Sequence, residues 1–376
     1  MENIIEKAVN HYAALLKSQI ERNNRIKENT DKTDFSKKEK IIIGICDGDG
    51  IGPVIMENAV LVLEKILENE IKSGKISLVR IDGLTLENRQ KFGKAIPDDV
   101  LKKLKKCDVI LKGPTATPHG GTLESANVCM RRELDLFTNV RPVRIPGEGI
   151  DWTFFRENSE GEYILGSSGL DITPEIAMDF KVTTVSGTKR IARAAFEYAK
   201  QNGKKNVAIV TKANIMKHTD GLFSRIAHEV AADYPDIKTE DWYIDIMTAN
   251  LINPDIRNRF EVILLPNLYG DIITDEAAQI KGGVGTAGSA NIGDKYAMFE
   301  AIHGTAPRMI EEGLENYANP SSILQAEVMM LRHIQFTEKA EKLEKALFDT
   351  ISNCKMTGDS RGHTGKEFTE KLLSVL

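Results

Sequence analysis

The chain lacks long hydrophobic runs and an excess of charge of one sign. Apolar stretches such as Val262 to Leu265 are far shorter than the roughly 18 residues that a membrane helix requires. The 376 residues carry 50 Lys and Arg against 55 Asp and Glu, a formal charge of −5, whereas nucleic-acid-binding domains usually present a basic stripe. We therefore expect neither a membrane nor a nucleic-acid partner.

Closely spaced cysteines are also missing, and so is a secretory segment. The four cysteines are Cys46, Cys107, Cys129 and Cys354. Their spacing does not fit a CxxC metal knuckle. The N-terminus carries Glu2, Glu6 and Glu21, whereas organelle transit peptides are poor in acids. The sequence therefore predicts buried, reduced thiols and a cytoplasmic location.

The length predicts two domains, at roughly 150 residues per domain, and the N-terminus adds an extension. Apolar residues recur at helical spacing from Ile4 to Ile20, which predicts an amphipathic helix. From Glu21 to Lys40 the sequence is almost entirely polar and is typical of a linker. We therefore expect residues 1–39 to be a helical extension and linker, with the helix packed on the surface or against another subunit.

The rest of the chain shows an α/β pattern. Short apolar runs at Ile41–Cys46, Val109–Lys112, Val207–Thr211 and Val262–Leu265 each end in a polar loop, and a helix is expected from Pro53. Ligands of open α/β sheets bind beyond the carboxyl ends of the strands. That rule indicates the neighbourhoods of Lys112, Lys212 and Asn267. The segment Ser159 to Thr173 lacks periodicity and is expected to be an excursion from the second domain.

Two glycine-rich stretches do not support a standard Rossmann site. Gly48, Gly50 and Gly52 alternate, which is the wrong spacing for GxGxxG. Gly283, Gly285 and Gly288 match that spacing, but a helical stretch precedes them where a strand is required. The second stretch could still allow a ligand to approach the backbone closely, or be a structural turn.

Arginines are concentrated in one region. Arg131, Arg132, Arg141 and Arg144 fall within fourteen residues. Guanidinium groups hold carboxylates in a fixed orientation, although Arg132 alone could lie on a solvated helix face. Arg156 opens a segment that also contains Tyr163, and a tyrosine with a perturbed pKa can donate a proton.

Asp271 and Asp275 are four residues apart at the expected start of a helix, so both carboxylates share one face. A hard divalent ion such as Mg²⁺ between them would relieve their repulsion. The alternative is that they compensate the dipole at the helix N-terminus.

Eight motifs in order resemble those of the β-decarboxylating isocitrate and isopropylmalate dehydrogenase family, and most closely its isocitrate branch. They are GDGIGP (48–53), KGPTATPHGG with SANVCMRRELDL, NVRPVR, FRENSEGEY, KANIMKHTDG (212–221), NLYGDIITD, GSANIGD (288–294) and EAIHGTAP (300–307). The resemblance runs from about Lys40 to the C-terminus.

This resemblance implies an α/β, two-domain fold with an open mixed sheet. The large domain would comprise residues 40–136 and 282–376, and the small domain residues 137–281 with a dimer clasp at about 161–185. The family forms homodimers whose active sites are shared between subunits, and a higher oligomer is possible.

The resemblance also assigns residues to roles. Substrate carboxylates would be bound by Ser125, Asn127, Arg131, Arg141 and Arg156. Mg²⁺ or Mn²⁺ would be bound by Asp271 and Asp275 with Asp245 from the partner subunit. Lys212, reaching across the dimer interface, would take the proton of the 2-hydroxyl as hydride leaves C2, and Tyr163 would protonate C3 after loss of CO₂.

Ser125 and Asn127 make the substrate loop small and polar, whereas the isopropylmalate branch has a Glu and apolar residues there. Isocitrate is therefore the expected substrate, and 2-oxoglutarate and CO₂ the expected products. The alternatives are isopropylmalate, homoisocitrate or tartrate, or a non-catalytic regulatory subunit. The last is disfavoured because all five catalytic and metal-binding groups are present.

The expected cofactor is NAD, with NADP possible. By resemblance the cofactor would contact Thr117, Asn214, Glu300, His303, Gly304, Thr305, Ala306, Arg308, Met309 and Asn319. The residue after HGTAP is an Asp in most NAD enzymes but is Arg308 here, and Gly358 stands where NADP enzymes have a Tyr. Arg308, with Arg361, could bind a 2′-phosphate, whereas Glu311 or Glu312 could replace the Asp.

Overall fold

The chain divides into two compact units. The computed structural model describes residues 2–28, 32–118, 123–166, 168–280, 282 and 287–376. The first unit combines residues 1–32 with 137–277, and the second combines residues 33–136 with 278–376.

The described residues form strands and helices in alternation. The strands are β1 (Ile41–Cys46), β2 (Ile76–Arg80), β3 (Val109–Lys112), β4 (Thr138–Ile145), β5 (Ile150–Glu157), β6 (Leu170–Thr173), β7 (Ile176–Met178), β8 (Asn206–Thr211), β9 (Lys238–Tyr243), β10 (Val262–Leu265), β11 (Gly288–Ile292) and β12 (Ala297–Ala301). The α-helices are α1 (Glu2–Glu28), α2 (Gly52–Ile66), α3 (Glu68–Lys72), α4 (Leu86–Phe92), α5 (Asp98–Leu104), α6 (Ala126–Glu133), α7 (Val185–Gln201), α8 (Thr219–Ala231), α9 (Ile244–Leu251), α10 (Asn267–Ile280), α11 (Pro307–Glu311), α12 (Ser321–His333), α13 (Thr337–Asn353) and α14 (Gly365–Val375).

Each unit contains mixed sheet. In the second unit the strand order is β2-β1-β3-β12-β11, and only β11 with β12 is antiparallel. In the first unit the order is β4-β5-β10-β8-β9, and only β4 with β5 is antiparallel. The expected α/β fold with an open mixed sheet is therefore confirmed. In the first unit β6 and β7 form a separate two-stranded sheet within the expected clasp segment.

The short apolar runs of the sequence predicted the positions of four strands. Ile41–Cys46, Val109–Lys112 and Val262–Leu265 are strands at the expected bounds, and β8 begins one residue before the expected Val207. These strands are apolar because both of their faces are covered, as is usual where helices flank a parallel sheet. Ile43, Val109 and Val262 are fully buried.

The N-terminal helix is longer than the sequence predicted. The prediction of a linker beginning at Glu21 is wrong, because α1 continues to Glu28. Its polar end is held by an ion pair in which Arg22 Nη1 lies 3.0 Å from Glu160 Oε1, and His11 Nε2 lies 2.9 Å from the Ser168 carbonyl oxygen. The helix thus packs on the surface of the first unit, against α7 and β6.

The burial of the cysteines matches the prediction from the sequence. All four cysteines are free and buried, and burial raises the pKa of the Cys46 thiol to about 12. Among the helices of the described residues, none combines the length and apolarity that crossing a membrane requires.

Candidate active site

Two aspartates project from α10 in the first unit. Asp271 and Asp275 lie one turn apart on this helix, with side chains 37% and 61% exposed. The helix begins at Asn267, so neither residue lies in its first turn. Compensation of the helix dipole at the N-terminus therefore does not explain them, because that effect falls off beyond the first turn.

Two buried arginines lie against these aspartates. Arg141, from β4, places Nη1 3.1 Å from Asp275 Oδ1 and donates to Thr274 Oγ1 at 2.6 Å. Arg156, from β5, pairs with Asp271. Because Arg156 is in register with Leu265 of β10, its side chain lies beside the first turn of α10. The four charges compensate one another in pairs.

Arg156 is held in place by Asn267. The Asn267 Oδ1 atom accepts from Nε at 3.1 Å and from Nη2 at 2.6 Å, and its Nδ2 donates to the Glu160 carbonyl at 2.9 Å. Gly270 leaves room for the arginine stem, since a Cβ there would lie 2.7 Å from Arg156 Cβ. Asn267 therefore fixes a buried guanidinium with its fork toward Asp271.

Tyr163 joins the same cluster. Its hydroxyl donates to Asp271 Oδ2 at 2.8 Å, and the Arg156 guanidinium carbon lies 5.4 Å from the ring centroid. The hydrogen bond to the Asp271 carboxylate fixes the direction of the Tyr163 hydroxyl proton. The geometry suits a proton donor.

Lys212 and Asp245 form a second cluster in the first unit. Lys212 follows β8 and places Nζ 2.6 Å from Asp245 Oδ1, with the two side chains 26% and 58% exposed. This hydrogen bond holds the pKa of Asp245 below its usual value. Among the described residues, no three His, Cys, Asp or Glu side chains come together as a metal-binding group. Asp245 therefore does not complete a set with Asp271 and Asp275 within one chain.

The α10 carboxylates nevertheless fit a hard divalent ion. Both are oxygen donors, both are accessible, and they share a helix face. Mg²⁺ in proteins is commonly bound through one or two carboxylates together with substrate oxygens and water. Asp271 and Asp275 could supply the protein's share of such a site.

In the second unit, α6 presents Ser125 and Asn127 at its N-terminus and Arg131 in its last turn. Ser125 is the N-cap residue and makes no capping hydrogen bond with its own helix. Asn127 Oδ1 accepts from Thr115 Oγ1 at 3.1 Å. Arg131 is only 8% exposed, and its Nη2 lies 3.4 Å from Glu300 Oε1.

Glu300 is the anchor of a buried charge network. Its carboxylate also contacts Lys112 Nζ at 3.1 Å and accepts from Asn291 Nδ2 at 2.8 Å. Lys112 is fully buried at the end of β3, directly beside Glu300 in the sheet register. Burial raises the pKa of Glu300, but Lys112 and Arg131 outweigh it and lower the pKa to about 2. The carboxylate therefore stays ionised and holds Arg131 in place.

Three loops of the second unit meet at the carboxyl ends of its strands. Asp49 N–H donates to the Pro114 carbonyl at 2.7 Å, and Ile51 N–H donates to the Thr305 carbonyl at 3.1 Å. Gly50 has a φ of 59°, and a Cβ at this position would clash with the Thr305 carbonyl oxygen. Ala306, with φ 47°, turns the chain into α11. Burial lowers the pKa of His303, whose Nδ1 lies 3.0 Å from the Gly304 carbonyl oxygen. Close backbone approach of this kind suits a loop that binds a cofactor.

The other expected cofactor residues are more dispersed. Thr117 is exposed in the loop after β3, and Asn319 Oδ1 accepts from Ser321 N–H at 3.0 Å. Arg308 is 85% exposed, with Nε 2.6 Å from Glu312 Oε1, and Met309 follows it. Asn214 belongs to the first unit, in the turn after β8. The glycines at 283 and 285, and residues 119–122, which include the HGG sequence, lie outside the described residues.

Arg89 is a supporting residue that sequence reasoning missed. It is fully buried and donates to the carbonyls of Ala95, Ala116 and Glu124 at 2.8, 2.7 and 2.9 Å. Two of these acceptors lie in the segment that carries Thr117 and Ser125. No local sequence pattern predicts this supporting role, because Arg89 occurs among polar residues on a short helix.

Comparisons with known proteins agree on one family. Residues 42–373 match the family model described as isocitrate/isopropylmalate dehydrogenase. Subunit 2 of the mitochondrial NAD isocitrate dehydrogenase of Schizosaccharomyces pombe is 36% identical over 341 residues, covering 88% of this chain and 86% of that protein.

Relatives with other cofactors and substrates are similarly near. The NADP isocitrate dehydrogenase of Rickettsia prowazekii is 41% identical over 321 residues, covering 83% of this chain and 63% of its own length. The 3-isopropylmalate dehydrogenase of Archaeoglobus fulgidus is 40% identical over 346 residues, covering 89% and 99%. The crystal structure of an isocitrate dehydrogenase from Methylococcus capsulatus superposes with a TM-score of 0.79 at 34% identity, covering 89% of this chain and 99% of that one.

Proposed function

The chain belongs to the isocitrate/isopropylmalate dehydrogenase family, and on that premise we propose that it oxidises and decarboxylates isocitrate to 2-oxoglutarate and CO₂. The family is nicotinamide-dependent and metal-dependent. The proposed hydride acceptor is NAD, and the proposed ion is Mg²⁺ or Mn²⁺.

The small, polar N-terminus of α6 carries the proposal. Ser125 and Asn127 stand there, about two turns and one turn before Arg131 respectively, and the buried Glu300 holds Arg131 in place. Hydroxyl and amide groups can hydrogen-bond a third carboxylate. An isopropyl group would offer the Ser125 hydroxyl and the Asn127 amide no hydrogen bond, at a cost of roughly 1–3 kcal/mol for each polar group that the substrate buries.

The site residues then have distinct roles. Arg131, Arg141 and Arg156 bind the three carboxylates, and all three are buried enough to be well oriented. Lys212 takes the proton of the 2-hydroxyl, and a bound nicotinamide would accept the hydride from C2. Tyr163 donates a proton to C3 after CO₂ has left, and Asp271 orients its hydroxyl. Asp271 and Asp275 would hold the divalent ion, which would polarise the substrate oxygens as a Lewis acid.

We further propose that two copies share their sites. Lys212 and Asp245 lie among exposed apolar residues of the first unit. These residues, with their exposed fractions, are Ile215 (67%), Met216 (38%), Tyr243 (45%), Ile246 (49%) and Ile252 (62%). A patch of this kind usually marks a protein interface. In such a dimer, Lys212 and Asp245 of one copy would lie beside the α10 carboxylates of the other copy. Asp245 would then complete the metal-ligand set.

The ion pairs of Arg308 and Arg361, the two arginines that could bind a 2′-phosphate, support NAD as the cofactor. A 2′-phosphate on the cofactor requires an arginine that is able to reach it. Arg308 is paired with Glu312, and Arg361 with Asp359, whose Oδ2 lies 2.5 Å from Nη2. Each guanidinium thus already has a carboxylate beside it, and both acids would repel the phosphate.

Steady-state kinetics with the purified chain alone test the substrate. With Mn²⁺ we expect NADH, CO₂ and 2-oxoglutarate to form from isocitrate, with a kcat/KM at least about 100-fold above that for isopropylmalate. Turnover of isopropylmalate but not isocitrate would refute the substrate assignment. Ligand binding without turnover of either substrate would instead indicate a regulatory subunit.

The cofactor is tested in the same assay. NAD should be preferred over NADP, and the double variant E312Q/D359N should raise kcat/KM for NADP about tenfold while changing that for NAD less than threefold. An exposed-acid variant, E341Q on α13, serves as the control. A tenfold preference of the wild type for NADP would contradict the choice of NAD.

A further inference from the structure

A buried lysine lies where three segments of the candidate site meet. The Lys181 side chain is only 7% exposed, and its Nζ lies 2.6 Å from Asp220 Oδ1 and 3.2 Å from Glu162 Oε1. It also lies 4.5 Å from the centroid of the Tyr269 ring. The cation therefore has two carboxylates and one aromatic face around it.

Each of these partners belongs to a segment that carries a site residue. Asp220 uses its other oxygen, Oδ2, to accept the backbone N–H of Lys212 at 2.7 Å. Glu162 directly precedes Tyr163 in the chain. Tyr269 stands on α10, two residues before Asp271. One ammonium group thus connects the backbone of Lys212, the Tyr163 segment and the metal-binding helix.

The energetics make this connection rigid. Asp220 is fully buried, and a buried carboxylate that loses its cation is strongly destabilised. Burial lowers the pKa of Lys181, but its hydrogen bond to Asp220 and the charges of Glu162 and Asp220 outweigh this, so the pKa is raised overall. Lys181 therefore remains charged at neutral pH. Without it, Asp220 would become protonated or would move, and the Lys212 backbone would follow.

We propose that Lys181 is a positioning residue that holds both candidate catalytic groups in place, Lys212 through Asp220 and Tyr163 through Glu162. The inference rests on the function proposed above for this site. It goes beyond that function by adding three residues outside the substrate and metal shells. It also predicts a signature that a purely structural ion pair would lack.

The signature arises because Lys212 and Tyr163 serve different steps. Hydride transfer from isocitrate, followed as NADH formed in a single turnover, depends on removal of the hydroxyl proton by Lys212 and precedes the step that needs Tyr163. Exchange of the C3 hydrogens of 2-oxoglutarate with solvent deuterium depends on Tyr163, which passes a proton to and from C3 without any redox change. Lys181 should affect both reactions, whereas Asp220 should affect only the first and Glu162 only the second.

The experiment compares full-chain variants with Mn²⁺ in both assays. K181M should lower the single-turnover rate of NADH formation and the exchange rate by about tenfold or more each, with the KM for isocitrate changed less than threefold, because sub-ångström misplacement of catalytic groups acts on rate. D220N should lower oxidation alone, and E162Q exchange alone. K181R, which keeps the charge, should recover part of both rates. K189M is the matched control, since Lys189 is 47% exposed and lies 3.9 Å from Glu229.

Several outcomes would overturn the proposal. Unchanged rates in K181M would do so, and so would a lowered unfolding midpoint with both rates intact per folded protein. If K181M does not fold, D220N and E162Q decide, and equal losses in both assays for each would refute the division of roles. If the wild type instead oxidises another 2-hydroxy acid, the proposed function fails, but the oxidation and exchange assays on that acid and its product still test Lys181.

Discussion

Replacing Glu327 with glutamine should make the protein more stable at neutral pH and leave it nearly unchanged in acid. Glu327 lies on α12 in the second unit and is fully buried. Within the described part of the chain, neither of its carboxylate oxygens has a hydrogen-bond partner. Burial therefore raises the pKa of this carboxyl well above its ordinary value of 4.5. Glutamine keeps the shape and removes the titration.

The magnitude follows from proton linkage. Because the folded-state pKa lies above the unfolded-state value, Glu327 is not penalised below about pH 4.3, and native stability is lost as the pH rises from there toward the folded-state pKa. Within that pH range the free energy of unfolding of the wild type falls by about 1.4 kcal/mol per pH unit, and that of E327Q does not. The advantage of E327Q should therefore grow by that amount per unit, up to several kcal/mol in total.

Urea unfolding at half-unit steps from pH 4 to pH 7.5 measures this difference. His333 on the same helix has a pKa lowered to about 4 by burial, so its contribution to stability is lost as the pH falls from about 6.5 toward 4. Both proteins share that histidine, and it cancels in the difference. E341Q, an exposed change on α13, is the control. A difference between E327Q and wild type that stays flat with pH would show that Glu327 is ionised in the folded chain and would refute the reasoning.

Three further changes test the framework around the site. R22M should destabilise the first unit by about 3 kcal/mol, because the Glu160 side chain, which is 3% exposed, loses its ion-pair partner. Hydrogen exchange of α7 measures this loss, and the exposed control R25M should match the wild type. R89M should cost at least about 3 kcal/mol in urea unfolding, because three carbonyls lose a charged donor; a loss below 1 kcal/mol would mean that these carbonyls find other donors. T364A removes the capping box of α14 and should cost about 1 kcal/mol, read as a lower unfolding midpoint; no shift would mean that packing alone holds this helix end.

Sequence patterns predicted local features well. The strands were predictable because a strand covered on both faces is apolar along its whole length, as Val262–Leu265 shows. The pair Asp271 and Asp275 was recognisable because four residues return to the same face of a helix. The length of α1 was not predictable, since its last turns are polar and are held by contacts of Arg22 with Glu160 and Ser159, which lie far away in the chain.

The relations that arrange the candidate site were beyond local patterns. Tyr163 meets Asp271 across 108 residues of chain, and no spacing rule connects them. Lys181 stands in the sequence between Phe180 and Val182 with no recognisable motif, and only its burial with Asp220 shows its role. Such contacts depend on which strand lies beside which, so they become visible only once the sheet order is known.

The pairing of arginines with aspartates on α10 has a consequence for the order in which ligands bind. Arg141 and Arg156 contact the same carboxylates that are proposed to hold the divalent ion. A cation that takes these carboxylates releases two guanidinium groups for an anionic substrate, and a substrate that takes the guanidinium groups releases the carboxylates for the cation. Metal and substrate should therefore raise each other's affinity by the same factor, as linkage requires, so that the preformed metal–substrate complex is the preferred ligand.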